Sequence, residues 1–131
     1  MTWVLAYLAA AIVFGILDAL WLSWAGPNFY RPALGDILAE EFRLGAAVPF
    51  YLAYVAGIVW FAVRPGLEGG IAAAALNGAL LGALCYATFD LTNQVIMKNW
   101  PTYVTVTDIL WGAFATCVAA TAASWFAGRF A

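Results

Sequence analysis

Residues 3–25 read WVLAYLAAAIVFGILDALWLSWA, an apolar run whose single formal charge is Asp18. A hydrocarbon layer about 30 Å thick takes about 20 helical residues to cross. Inside lipid, a lone spanning segment must pair its own amides and carbonyls, and a helix does so. The run lacks the alternation of a membrane barrel strand. No basic stretch precedes it, and it continues to spanning length, so it reads as a transmembrane helix rather than a cleavable leader.

Further runs of the same kind lie at about 44–63, 71–96 and 104–127. The expectation is an all-α membrane protein: a four-transmembrane-helix bundle forming one domain over residues 1–131. Composition points the same way. The chain is 66% hydrophobic and 9% charged, with a mean hydropathy of +0.92. So few charges do not coat a soluble globule of this size, whereas lipid solvates apolar side chains directly.

The connections differ in kind. Arg64-Pro65-Gly66-Leu67-Glu68-Gly69-Gly70 is dense in turn residues and predicts a tight hairpin. Met97-Lys98-Asn99-Trp100-Pro101 predicts a second turn, with Trp100 and Tyr103 at headgroup level. Between Gly26 and Arg43, the residues Tyr30, Leu34, Ile37, Leu38 and Phe42 recur at helical spacing, opposite Asp36, Glu40 and Arg43. This pattern predicts a short interfacial helix between the first two spans, or else an ordered loop.

Close helix contacts are signalled by Gly78-Ala79-Leu80-Leu81-Gly82 and by the small step from Ala11 to Gly15. An internal contact is favoured over a dimer seam. Arg31, Arg43 and Lys98 fall on one side of the membrane, and Arg64, Arg129 and the amino terminus on the other. The two termini are thus expected on one side, and the charge bias is too small to orient the bundle.

Composition also excludes chemistry. The net charge of −2 gives no basic stripe for nucleic acid. The absence of histidine removes the commonest metal ligand and neutral-pH acid–base group, and no metal or cofactor is expected. Cys85 and Cys117 lie inside apolar runs and read as reduced core residues.

Asp18, Asp90 and Asp108 are embedded in the spans. An ionisable group at that depth is costly and marks a candidate functional site. With alternating helix directions, all three approach the same membrane face. Asp18-Ala19-Leu20-Trp21 and Asp108-Ile109-Leu110-Trp111 repeat a D-x-x-W pattern, placing a tryptophan one turn from the acid on the same side. Around Asp90, Tyr86, Asn93 and Gln94 complete a polar stripe. Carboxyls brought close together would share a proton. Arg31 follows the first span and could neutralise one of them, or else snorkel to headgroups. The candidate ligand-binding set is therefore Asp18, Trp21, Arg31, Tyr86, Asp90, Asn93, Asp108 and Trp111. Two bland readings compete. Buried aspartates can act as hydrogen-bonding glue between helices, and Asp108 can cap the last helix.

The blocks Leu17-Asp18-Ala19-Leu20-Trp21-Leu22, Phe29-Tyr30-Arg31, Tyr86-Ala87-Thr88-Phe89-Asp90-Leu91-Thr92-Asn93, Asn99-Trp100-Pro101 and Thr107-Asp108-Ile109-Leu110-Trp111-Gly112 resemble an uncharacterised family of bacterial membrane proteins, the domain of unknown function DUF twenty-one-seventy-seven. The resemblance covers nearly the whole chain. It implies four spans and a bacterial inner membrane, points to the same aspartates, and supplies no activity.

Three functions follow as expectations. The first is binding or transport of a proton, a cation or a small amphipathic ligand, transport requiring a homodimer. The second is an accessory subunit or assembly factor with a membrane-protein partner. The third, less favoured because no nucleophile or phosphate loop is evident, is an enzyme acting on a lipid or isoprenoid.

Overall fold

The computed structural model describes residues 1–39 and 43–131. Four helices carry the apolar runs: α1 (Thr2–Ile37), α2 (Leu44–Gly69), α3 (Ile71–Ile96) and α4 (Thr102–Phe130). Each is long and apolar enough to cross a membrane. The chain is thus a multi-pass integral membrane protein whose outer residues meet lipid, among them Leu76, Leu80 and Leu84 along α3.

Neighbouring helices run in opposite directions. Gly78 of α3 lies against Ala120 of α4, and Gly82 against Gly112. Tyr54 of α2 reaches Thr116 of α4, and Gly66 reaches Ser124, so these two helices run the same way.

The seam between α3 and α4 explains the glycines. Lipid offers no hydrophobic drive for helices to associate, so close backbone packing must supply the attraction. A Cβ on Gly82 would overlap the Gly112 carbonyl, and one on Gly78 would stand 2.9 Å from both Ala120 Cβ and the Thr116 carbonyl. The G-x-x-x-G pair is thus spent inside the bundle. Alanines fill the rest of the core, including Ala6, Ala10, Ala62, Ala74, Ala115 and Ala119.

Two helices overrun the expected ends. The stretch predicted as a separate interfacial helix instead prolongs α1 through a π turn at Gly26–Tyr30 as far as Leu34, and a 3-10 turn at Gly35–Ile37 follows, with Gly35 at a φ of 54°. The Glu40 and Phe42 part of that expectation lies outside the described residues. Likewise the predicted 64–70 hairpin is helical over Arg64–Gly69, after a π turn at Val59–Val63, and the chain reverses at Gly70, where φ is 103°. Both π turns stand immediately before an Arg-Pro pair, Arg31-Pro32 and Arg64-Pro65. A proline ring collides with the carbonyl four residues back and leaves it without a donor. A wider turn relieves that collision and lets the helix continue. In each case the arginine N–H reaches five residues back, Arg31 to the Gly26 carbonyl and Arg64 to the Val59 carbonyl.

The first half of α2 packs least. Every residue from Leu44 to Phe50 is exposed, with Phe50 at 68%. Tyrosines tie this helix to α1: Tyr7 donates to the Leu52 carbonyl at 2.9 Å, and Tyr51 to the Ala11 carbonyl. The Tyr51 hydroxyl occupies the space above Gly15, 2.7 Å from where a Cβ would sit. This accounts for the small Ala11–Gly15 step.

Candidate functional site

Asp90 projects from α3 about two turns before the end of that helix, and it is completely buried, at 0% exposure. Neither carboxyl oxygen receives a hydrogen bond from the described residues. The group facing it is the carboxyl of Asp108 on α4, itself 6% exposed. Two carboxylates so placed repel each other, and an unpaired buried acceptor costs free energy. A proton or a cation between them removes both penalties.

Asp108 is held from the other side. Its Oδ1 accepts from the Tyr30 hydroxyl, and the Tyr30 oxygen accepts from Trp21 Nε1 at 3.0 Å. The π turn in α1 brings Tyr30 back over the bundle. A chain therefore runs from Trp21 through Tyr30 and Asp108 to Asp90, crossing three helices.

The D-x-x-W repeats interlock. On antiparallel helices each tryptophan lies beside the other helix's acid. Trp21 reaches Asp108 through Tyr30, and Trp111 neighbours Asp18. The two indoles stack, with centroids 4.8 Å apart and planes inclined by 13°. Trp111 Nε1 is buried and makes no hydrogen bond of good geometry among the described residues, although the Asp18 carboxyl is its polar neighbour.

Tyr86 lies one turn before Asp90 and lays its ring over Gly112, where a Cβ would penetrate it. It meets Tyr54 edge-on, with centroids 6.5 Å apart. The Tyr54 hydroxyl bonds the buried Thr116 hydroxyl at 2.8 Å. Asn93, 9% exposed, follows Asp90 on the same side of α3. Gln94 closes the α3–α4 junction: it donates to Thr102 Oγ1 at 3.0 Å and accepts from Thr105 Oγ1 at 2.7 Å. Trp100 Nε1 in turn donates to Thr105 Oγ1 at 3.1 Å.

Of the residues singled out from sequence, the structure gathers Trp21, Tyr86, Asp90, Asn93, Asp108 and Trp111 around this junction, with Asp18 at its margin. The three carboxyls do not converge on a point, since no group of three metal-ligating side chains forms among the described residues. Arg31 stands apart. It is exposed and bonds the Ala39 carbonyl at 3.4 Å, because continuous helix beyond the π turn points it away from the acids. Capping by Asp108 is also ruled out, since α4 begins at Thr102 after Pro101, well before that residue.

Asp18 also lines a cleft of about 400 Å³ between α1 and α2, together with Gly15, Ala19, Leu22, Ser23 and Tyr51. Sequence reasoning missed Tyr51 and Tyr54, and it named Tyr30 in the interfacial stripe and in the Phe29-Tyr30-Arg31 block without giving it a role at the acids. Their spacing carries no sign of a polar role. In lipid, however, a phenol within a span must find a partner, and that is a usable signal.

No curated protein and no solved structure matches the chain. A family profile, described as a predicted membrane protein and designated DUF2177, matches residues 3–125. These residues include all three aspartates and both interlocked tryptophans, and the chain belongs to that predicted membrane protein family.

Proposed function

We propose that this protein binds a proton or a cation at the Asp90–Asp108 carboxyl pair and serves as a small binding or transport protein of the bacterial inner membrane, with both termini on one side. The observation that carries this reading is the state of Asp90, fully buried with two carboxyl oxygens that no donor among the described residues satisfies. A residue serving as glue would be bonded; a binding group is left open for its ligand. The Tyr30 hydroxyl holds Asp108 from the side away from Asp90. Tyr86 and Asn93 stand one turn before and one turn after Asp90 on α3.

The test is proteoliposome flux under an imposed pH or sodium gradient, together with mass spectrometry of whatever small molecule remains bound. The wild type should release the gradient faster than empty liposomes, or retain a ligand, and Asp90→Asn should do neither. A wild type that shows neither property sinks the reading.

A further inference from the structure

The cleft between α1 and α2 opens from Asp18 toward the exposed first half of α2. In a bilayer that opening faces acyl chains, not water. Its walls at Gly15, Ala19 and Leu22 are apolar, and Ser23 stands at its rim toward the membrane face. At the inner end the Asp18 carboxyl adjoins the Trp111 indole, and Tyr51 lines the cleft beside it. Tyr51 already spends its hydroxyl on the Ala11 carbonyl and Tyr54 on Thr116, so these two phenols do not neutralise the acid. Arg31, the nearest cation in sequence, is turned away. Trp111 Nε1, the buried indole N–H beside Asp18, makes no hydrogen bond of good geometry among the described residues.

An acid with the Trp111 indole and the Tyr51 ring beside it is the chemistry that recognises an alkylammonium group. The carboxylate supplies the counter-charge, and the ring faces supply cation–π attraction in a site shielded from water. The apolar cleft leading to lipid suits the alkyl tail of the same molecule, and its volume falls within the range of small-molecule sites. We infer that the ligand is an amphipathic amine that enters sideways from the bilayer through the α1–α2 cleft and docks its ammonium on Asp18. The inference rests on the binding reading above and names the ligand class for that site. Asp18 is the docking acid, distinct from the Asp90–Asp108 pair.

The experiment uses the full chain in phosphatidylcholine nanodiscs with two photoreactive probes of equal length, a decylammonium and a decanol, mapped by peptide mass spectrometry. The ammonium probe should label the cleft, residues 15–23 and Tyr51, about tenfold more than the alcohol at equal membrane loading. Asp18→Asn should reduce ammonium labelling to the alcohol level, and Asp18→Glu should retain it. Equal labelling of the wild-type cleft by both probes overturns the inference without requiring any variant to fold. So does undiminished labelling of Asp18→Asn. Asp90→Asn separates the two readings. Flux lost in Asp90→Asn, with no charge preference in wild-type labelling, leaves the carboxyl pair standing and removes the amine. Charge-selective labelling with no flux leaves the amine site and removes transport.

Discussion

The Tyr30 hydroxyl donates to Asp108 Oδ1 across 78 positions of sequence, joining the extension of α1 to the interior of α4. Tyr30 also accepts from Trp21, so one oxygen serves both neighbours. Hydrogen bonds to a charged acceptor contribute about 1.5–3 kcal/mol. Tyr30→Phe should therefore destabilise the detergent-solubilised protein by about that amount, and should raise hydrogen exchange from Gly26 to Ile37 selectively. Uniform exchange along α1 would show that the bond does not hold the extension down.

Asp90 behaves oppositely if it is a binding group. Replacing a buried, unsatisfied acid with an apolar residue of similar size is neutral or stabilising, by up to about 4 kcal/mol. Asp90→Leu should raise the thermal midpoint while abolishing ligand retention and flux. A fall of several degrees would identify Asp90 as structural glue.

The α3–α4 seam gives a packing prediction. Any Cβ at Gly82 meets backbone at Gly112, and overpacking a tight contact costs about 1–3 kcal/mol. Gly82→Ala should lower stability within that range, whereas Gly57→Ala, with open space around it, should not. Equal effects at both positions would mean that the seam does not set the outcome, since helix propensity alone favours alanine at each.

The stacked indoles can be weighed directly. A double-mutant cycle with Trp21→Leu and Trp111→Leu should return a coupling of about 0.5–1.5 kcal/mol, the value expected of an aromatic pair. A coupling near zero would assign the two tryptophans separate lipid-facing roles.

Much of this arrangement is legible in the residues. The four spans follow from apolar length alone, and the D-x-x-W repeat points to two acids with paired tryptophans. The Gly78–Gly82 step correctly marks a close contact. What the sequence hides lies beyond the π turns. Residue type gives no sign of the widened turn at Gly26–Tyr30, so Tyr30 reads as an interface residue, and Arg31 either as the partner of an acid or as a cation snorkelling to headgroups. The same error ends α2 at Val63, because Pro65 and its neighbouring glycines signal a turn while a widened helix absorbs the proline. The tyrosine bonds to Ala11 and Leu52 are unreadable for another reason, since a backbone acceptor leaves no trace in residue type.

Each π turn stores one residue more than the α-helical path around it would use. Removing any single residue between Gly26 and Tyr30 would restore an ordinary helix and rotate the remainder of α1 by about 100°, turning the segment after it away from α4. The extra residue thus sets the rotational phase at which the outer end of α1 meets Asp108.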